Sequence, residues 1–319
     1  EQALSAAHEV GYPVLVRPSY VLGGQGMEIA YNDRNIIEFM RIINQVEQEH
    51  PILVDKYLMG REVEVDGVFD GEELLIPGIM EHIERAGVHS GDSISVYPPI
   101  HIEDKHKQTI LKYTYQLSKA LGVIGLVNIQ FVIYDDTVYV IEVNPRSSRT
   151  IPYISKVTGV PIIDLATKVM LGQKLKDLGY GTGIYPEASY YAVKMPVFSF
   201  EKLTDVDTGL GPEMKSTGEC LGLAESFPQA LLKAFKGANL KAPKKGGRMI
   251  ITVKDEDKEE IIGIARGFYD MGIEILATSG TCKVLNEAGI PARWVARVSE
   301  AHPNILDMIA SGTVDLVIN

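Results

Sequence analysis

The sequence is poor in the residues that build disulfide frameworks and cysteine metal sites. Only two of its 319 residues are cysteines, Cys220 and Cys282, and they lie far apart without a metal-ligand spacing. Its seven histidines form no paired motif either. We therefore expect two buried free thiols in a reducing compartment, the cytoplasm.

Positive charge and long apolar runs are also scarce. Lysine and arginine number 31 against 42 aspartate and glutamate residues, and the resulting net charge of −11 argues against a nucleic-acid or anionic membrane surface. No apolar run approaches the length of about 20 residues that spans a bilayer. The first ten residues fit a helix and lack the regions of a signal peptide, so we expect the chain to begin inside a domain.

What is present is enough apolar sequence, 45% of the residues, for two domains. Residues 1–195 predict an α+β domain of antiparallel strands with helices on one side. Spaced prolines over 196–245 indicate an irregular connector around one helix at 228–237. Strict strand–helix alternation over 246–319 predicts a small α/β doubly wound domain with a parallel sheet, which we expect to continue beyond the last residue.

The stretch from 128 to 149 predicts a β-hairpin with one polar face. Two apolar arms flank a turn that we place at residues 135–137. A turn of three residues sets two pairs directly opposite each other: Gln130 with Glu142, and Asn128 with Asn144. Because side chains alternate along a strand, all four then point to the same side of the hairpin.

This polar face has the composition of a metal–nucleotide site. It combines one carboxylate with three amides, and Arg146 and Arg149 follow at once. Mg²⁺ prefers one or two carboxylates together with substrate oxygens, so the cluster suits a divalent cation that carries a polyphosphate. The alternative is an ordinary solvent-exposed strand face.

Three further segments could contact a nucleotide, although each alone has an ordinary structural explanation. The loop at 17–27 brings Arg17 close to Gly23 and Gly24, whose backbone could approach phosphate oxygens, or it is a hairpin tip. The strand at 52–58 could offer backbone groups to adenine, or it is an edge strand. The loop at 84–93 could hydrogen-bond a substrate through His89, or it is a polar turn.

Taken in order, the segments RPSYVLGG, LVDKYL, AGVHSGD and QFVIYDDTVYVIEVNPRSSRT resemble the ATP-grasp core of the carbamoyl phosphate synthetase large-subunit family. The segment GPEMKSTGE is similar to that family too, and the tail resembles its methylglyoxal-synthase-like allosteric domain. The resemblance covers essentially the whole chain. In the family such a tail follows only the second synthetase unit, which phosphorylates carbamate. The implied fold is therefore an ATP-grasp domain without its first portion, followed by a doubly wound domain without its end.

The resemblance implies a role for each matching residue. Nucleotide contacts fall on Arg17, Gly23, Gly24, Lys56, Leu58, Glu62, Gly87, Val88, His89, Ser90, Gln130 and Glu142. Two Mg²⁺ or Mn²⁺ ions fall on Gln130, Glu142 and Asn144, and a K⁺ ion is implied near the His89 loop. Glu142, Arg146 and Arg149 are the implied catalytic residues, with the arginines facing carbamate and the transferred phosphoryl group. Two departures stand out: Lys56 replaces a histidine of some members, and the loop before Glu62 is one residue shorter.

The tail has its own implied site. The turn from Thr278 to Thr281 lies between a strand and a helix, where hydroxyl and backbone N–H groups can hold a phosphate, or simply cap the helix. By resemblance a nucleotide monophosphate effector binds Lys258, Thr278, Thr281, Arg297 and Asn319. Family members often have lysine at the position of Arg297.

The implied activity is ATP-dependent phosphorylation of carbamate to carbamoyl phosphate, in pyrimidine and arginine biosynthesis. The implied partners are a small glutaminase subunit, further copies in an oligomer, and ornithine as a second effector. Two rivals remain from the residues themselves: another ATP-grasp carboxylate ligase, and a nucleotide sensor without catalysis. Methylglyoxal synthase activity in the tail would require a carboxylate base placed to remove a proton.

Overall fold

The computed structural model describes residues 1–19, 26–43, 51–200, 202 and 208–319. The packing divides the chain into two units, Glu1–Ala238 and Asn239–Asn319, each with its own hydrophobic core. None of the helices in these described ranges has the length and apolar character that crossing a bilayer requires.

The first unit begins with a small antiparallel sheet. Its elements are α1 (Gln2–Val10), β1 (Val14–Pro18), β2 (Glu28–Ala30), α2 (Asp33–Ile43) and β3 (Ile52–Lys56). Strand β1 lies between β2 and β3. Its inward residues Val14 and Val16 pack against Ala7 of α1 and Ile36 of α2, so the two helices cover one face of this sheet.

The rest of the first unit is built on a larger sheet. Its elements are β4 (Arg61–Phe69), β5 (Leu74–Ile76), β6 (Ile79–Arg85), β7 (Ser95–Tyr97), α3 (Asp104–Ala120), β8 (Gly125–Tyr134), β9 (Thr137–Asn144), α4 (Ile151–Thr158), α5 (Ile162–Met170), β10 (Gly183–Ile184), β11 (Tyr191–Val197), β12 (Gly218–Ala224) and α6 (Phe227–Gly237). Strand β8 pairs with the whole of β4, while β6 and β5 share its other side. Strand β9 pairs with β8.

Helices cover both faces of this sheet, so the prediction of helices on one side was wrong. Alternate residues of β4 point to opposite faces. Val63 and Val65 pack with Ile110 of α3 on one face. Val68 packs with α4 and α5 on the other face, where the residues before it on β4 are acidic. The prediction failed because one face of β4 changes from polar to apolar residues along the strand. The apolar part of that face packs against helices, and the polar part is left for the candidate site described below.

The predicted connector contains a strand of the large sheet. Strand β12 pairs along its length with β11, and α6 packs on both strands through Ala230 and Ala234. The helix lies where we predicted it, within one residue. The strand escaped prediction because its glycines and its Glu219–Cys220 step break the apolar alternation that marks a strand.

The turn between β4 and β5 depends on a buried aspartate. Asp70 is 5% exposed, and its carboxylate accepts hydrogen bonds from three backbone N–H groups, those of Glu72, Glu73 and Leu175, at 2.7–2.9 Å. Burial alone would raise the pKa of Asp70, but these bonds lower it below the usual range.

We expect Asp70→Ala to lower the free energy of unfolding by about 2 kcal/mol, because three donors lose a charged acceptor. Since the folded-state pKa is depressed, this contribution is complete above about pH 4 and is lost as the pH falls toward the folded value. Chemical denaturation of the wild type and the variant at several pH values measures the difference. The exposed Asp177→Asn serves as the control, and a difference that grows on acidification would contradict the account.

The second unit is a four-stranded parallel sheet, as predicted. Its elements are β13 (Arg248–Ile251), α7 (Lys258–Asp270), β14 (Glu274–Ala277), α8 (Ser279–Glu287), β15 (Ala292–Trp294), α9 (Ile305–Ala310) and β16 (Leu316–Ile318). The strand order is β15-β14-β13-β16. Helices α7 and α8 cover one face and α9 covers the other, which is the doubly wound arrangement.

Candidate nucleotide and metal site

The β8–β9 hairpin brings its four polar residues together as predicted. Gln130 pairs with Glu142, and Asn128 pairs with Asn144. The predicted turn was wrong, because Tyr134 pairs with Thr137 and leaves a turn of only two residues, both with positive φ.

A β-bulge reconciles the shorter turn with the predicted pairs. The register shifts by one residue between Gln130 and Phe131, and Ile141 is the extra residue. The two-residue turn moves the register by one position and the bulge moves it back. Glu142 consequently shares a face with Gln130 rather than pointing to the opposite side.

Glu142 lies at the centre of the polar cluster. Its Oε1 accepts hydrogen bonds from Gln130 Nε2 at 3.0 Å and from Asn144 Nδ2 at 2.8 Å. Arg146 adjoins the cluster through its Nη2, which donates to Asn144 Oδ1 at 3.1 Å. One carboxylate between two amides, all on one face, fits the oxygen ligands that Mg²⁺ or Mn²⁺ requires.

The segments AGVHSGD and GPEMKSTGE contact each other in the structure. Asp92 of the loop after β6 accepts hydrogen bonds from the N–H groups of Lys215 and Ser216, each at 2.8 Å. The N–H of His89 donates to the carbonyl of Gly211 at 2.8 Å. These contacts hold the loop from Gly87 to Ser93 against residues 211–216, and the same loop meets the hairpin where Gln130 Nε2 donates to Ser90 Oγ at 3.3 Å.

His89 faces the same cluster from the other side. Burial lowers its pKa, although the nearby charges of Asp92 and Glu142 favour its protonated form, and Arg149 is the positive charge that opposes them. The Nδ1 of His89 accepts from the N–H of Gly91 at 3.0 Å. The imidazole is therefore favoured as the neutral form, with Nε2 as the nitrogen that remains for a ligand.

The predicted residues of the small sheet lie at one edge of the site. Arg17 is at the end of β1, where its Nε donates to Asp55 Oδ2 at 2.8 Å. The ammonium of Lys56 donates to the carbonyls of Gly11 and Tyr12 at 2.8 and 3.0 Å, so the protein itself engages this side chain. Gly23 and Gly24 lie outside the described residues.

Glu62 is buried under the site. It is 3% exposed, and burial raises its pKa to about 7 even though His82 opposes the shift. His82 is fully buried between two carboxylates, with Nδ1 at 3.7 Å from Glu62 Oε1 and Nε2 at 3.4 Å from Glu64 Oε2. These are ion-pair distances without hydrogen-bond geometry, and both imidazole nitrogens lack a hydrogen-bond partner.

Of this buried layer, only Glu62 was predicted from the sequence. Glu62, Glu64 and Asp66 occupy alternate positions of β4 and face the hairpin, and Lys194 reaches the loop after β6 by donating to the Ser90 carbonyl at 2.8 Å. Three acidic residues at every second position of a predicted strand were the available signal.

In the second unit, the predicted effector residues converge on the carboxyl edge of the parallel sheet. Each of Lys258, Thr278, Thr281, Arg297 and Asn319 follows one of its strands. Thr278 and Thr281 are buried at the first turn of α8, and Thr278 Oγ1 donates to Thr252 Oγ1 at 3.1 Å.

Lys258 completes this cradle at the start of α8. A Cβ at Gly280 would lie 2.7 Å from Lys258 Nζ, so the absence of a side chain there lets the ammonium approach the helix N-terminus. Lys258 also binds Asp255, a residue the sequence analysis had not identified. The helix N-terminus, two hydroxyls and an ammonium together suit a phosphate group.

Two solved structures share the fold of this chain. The N5-carboxyaminoimidazole ribonucleotide synthetase purK, in an ADP complex, aligns with 74% of this chain and 63% of its own at a TM-score of 0.56 and 16% identity. The same enzyme from Thermotoga maritima gives a TM-score of 0.53 and 14% identity over the same shares. At such identities the likeness establishes the fold alone, and the first unit is an ATP-grasp domain.

Sequence comparison then gives the family. The family model described as carbamoyl-phosphate synthase L chain, ATP binding domain, matches residues 1–178, and the MGS-like domain matches residues 260–319. Carbamoyl phosphate synthase large chains of Lachnoclostridium phytofermentans, Agathobacter rectalis and Clostridium perfringens are 61%, 59% and 52% identical over all 319 residues. The chain belongs to the carbamoyl phosphate synthase large-chain family, and it spans 30% of the length of these relatives.

Proposed function

We propose that the full-length protein transfers the γ-phosphoryl group of ATP to carbamate, giving ADP and carbamoyl phosphate. The observation that carries the proposal is Glu142, held between Gln130 and Asn144 on one face with Arg146 beside it. Family membership supplies the substrate, because the curated relatives are named for this product.

The predicted site residues would divide the roles in such a transfer. Arg17, the backbone of Lys56 and Leu58, Glu62, and the loop residues Gly87, Val88, His89 and Ser90 would bind the nucleotide, with Gly23 and Gly24 completing the phosphate contacts. Gln130, Glu142 and Asn144 would hold two Mg²⁺ or Mn²⁺ ions, which when bound neutralise charge on the phosphates. Arg146 and Arg149 would face carbamate and the transferring group.

The chemistry needs positioning and charge neutralisation rather than a protein nucleophile. A carbamate oxygen forms the new bond to the γ-phosphorus, and the bond between that phosphorus and the β,γ-bridging oxygen breaks, so that ADP leaves with the electron pair. Carbamate oxygen is already anionic, so no general base is required. The arginines offset the negative charge that both reactants bring to one place.

A K⁺ ion near the His89 loop remains part of the proposal. The support is the resemblance of that loop, AGVHSGD, to the corresponding segment of the family. Dependence of the rate on K⁺, compared with Na⁺ at equal ionic strength, tests this assignment.

The experiment that tests the proposed function incubates the full-length protein with Mg-ATP, ammonia and bicarbonate, and measures ADP and carbamoyl phosphate. Formation of both supports the proposal. ATP binding without ADP would instead identify a nucleotide sensor. ADP formation that depends on another carboxylate, and not on bicarbonate and ammonia, would identify a different ATP-grasp ligase.

The second unit would bind a nucleotide monophosphate through Lys258, Thr278, Thr281, Arg297 and Asn319, and so regulate the first. Its cradle supports a phosphate ligand, and ornithine is a separate candidate effector that carries no phosphate. A small glutaminase subunit and further copies of the protein are proposed partners in the cytoplasm, where the product would supply pyrimidine and arginine biosynthesis.

We expect Lys258→Ala to weaken binding of UMP or IMP by about 10-fold or more, because one charge-assisted hydrogen bond to the phosphate is lost. Binding of ornithine should be unchanged. Isothermal titration of the full-length protein with each ligand measures these affinities. Lys283→Ala is the control, since Lys283 is exposed on α8, the helix whose N-terminus contributes to the cradle. Equal weakening by both variants would contradict the phosphate cradle.

A further inference from the structure

Asp66 lies beneath the loop that carries Arg149 and holds two of the hydroxyl side chains of that loop, those of Ser148 and Thr150. Ser148 Oγ lies 2.6 Å from Asp66 Oδ1, and Thr150 Oγ1 lies 2.6 Å from Asp66 Oδ2. The two hydroxyl oxygens are 2.8 Å apart. Asp66 is 0% exposed. One carboxyl group and two hydroxyls therefore close a ring of three short oxygen–oxygen contacts that is shielded from water.

The number of protons in this ring determines the state of Asp66. Three hydrogen bonds between oxygens need three protons, and the two hydroxyl groups supply only two. Neighbouring donors do not fill the gap: Asn128 Nδ2 donates to Asp66 Oδ1 at 3.0 Å and the N–H of Thr150 donates to Ser148 Oγ at 3.2 Å, but both enter from outside the ring. A third proton on the Asp66 carboxyl group completes it.

The surroundings favour that proton. Glu64 is the next inward residue of β4, and Asn128 Nδ2 donates to its Oε1 at 2.8 Å as well as to Asp66. Two buried carboxylates that share a donor are not both charged at low cost. Burial and the charge of Glu64 raise the pKa of Asp66 to about 7, although the hydrogen bonds from Ser148, Thr150 and Asn128 lower it. The charge remains on Glu64, whose pKa is lowered by His82, Lys194 and Asn128 against the effect of burial.

We propose that Asp66 is a positioning residue, kept as a neutral carboxylic acid, that fixes the loop carrying Arg149. Arg149 lies between the two hydroxyl residues of the ring, and its own side chain is exposed without a hydrogen-bond partner in the described part of the chain. Arg146 differs, because it is also tied to the Ser147 carbonyl and to Asn144. The inference rests on the proposed function in one respect, the role of Arg149 at the transferring phosphoryl group.

The first test compares Asp66→Asn with Asp66→Ala in the full-length protein. Asparagine is uncharged and keeps one donor and one acceptor, so it should retain most of kcat. Alanine opens the ring, and we expect it to lower kcat on the order of 10²-fold with little change in the KM for ATP, because a small displacement of a catalytic group has an effect of that size. Equal losses in both variants would show that the charge of Asp66 is needed, which overturns the proposal.

A second pair of variants covers the case in which Asp66→Ala does not fold. Thr150→Val removes one hydroxyl of the ring and keeps the shape of the side chain, whereas Thr150→Ser keeps the hydroxyl. We expect Thr150→Val to reduce kcat by about 10-fold or more, since a buried partner of the ring is lost, and Thr150→Ser to restore most of it. Equal activity of the two variants would overturn the role of the ring.

Infrared spectroscopy separates this inference from the proposed function. The wild type should show the carbonyl band of a buried neutral carboxylic acid that Asp66→Asn lacks, whether or not the protein is active. Absence of a difference in that band overturns the neutral state of Asp66. Absence of carbamoyl phosphate from the wild type, with the band present, overturns the proposed function instead.

Discussion

Replacing Glu142 with glutamine should reduce carbamoyl phosphate formation by on the order of 10³-fold or more in the full-length protein. Glu142 is the single carboxylate between two neutral amides, so the variant removes the only negative charge among the proposed metal ligands. Loss of metal-based charge stabilisation of the transferring phosphoryl group is worth several kcal/mol. Measurement of kcat at saturating Mg-ATP checks the expected loss.

The same variant should fold almost normally. Glu142 is exposed, and glutamine retains an oxygen that can accept from Gln130 and Asn144, so the free energy of unfolding should change by no more than about 0.5 kcal/mol. Asp135→Asn is the matched control, because it removes a carboxylate from the tip of the same hairpin, away from the cluster. Near-normal product formation by Glu142→Gln would refute the assignment of Glu142 as a metal ligand.

Replacing Gly222 with alanine should lower the free energy of unfolding of the first unit by about 3 kcal/mol. A Cβ at this position of β12 would lie 2.1 Å from the carbonyl oxygen of Ala230 and 2.6 Å from the N of Ala234. Both atoms belong to the backbone of α6, so a rotamer change cannot relieve the clash and the helix must move off the sheet.

Gly218→Ala provides the control in the same strand, because the nearest atom to its Cβ is at 4.0 Å. Calorimetry of both variants measures the thermal midpoints, and we expect a fall of roughly 10 °C for Gly222→Ala and almost none for Gly218→Ala. Similar midpoints for the two variants would contradict the close packing of α6 on β12. Activity should fall with Gly222→Ala as well, since β12 follows directly after the segment that binds Asp92.

The hairpin shows how much of the site can be predicted from local sequence. The polar pairs Gln130–Glu142 and Asn128–Asn144 could be predicted from alternation alone, and they are confirmed. The prediction obtained the right register from the wrong turn, because nothing in the sequence marks Ile141 as a bulge. Whether a bulge forms depends on the pairing of the neighbouring strands, and β8 is also paired along β4.

The connector shows the opposite case. Its helix was predicted at 228–237, and the structure confirms it at Phe227–Gly237. Strand β12 was not, because its glycine at 222 is needed for contact with α6 rather than for any local conformation. When packing against a distant segment requires a particular residue, as α6 requires Gly222, the local sequence shows no periodic pattern that predicts it.

The sequence by itself determined the alternation of strands and helices, the polar face of the hairpin and the parallel sheet of the second unit. These features depend on residues only a few positions apart, for which periodicity and turn preferences are sufficient. The tertiary structure alone decided that Glu62, Glu64 and Asp66 are buried, that Asp92 binds a segment more than 120 residues later, and that Asp66 closes a ring with Ser148 and Thr150. Such contacts join distant parts of the chain, and whether a charged residue is exposed or buried depends on which of those parts covers it.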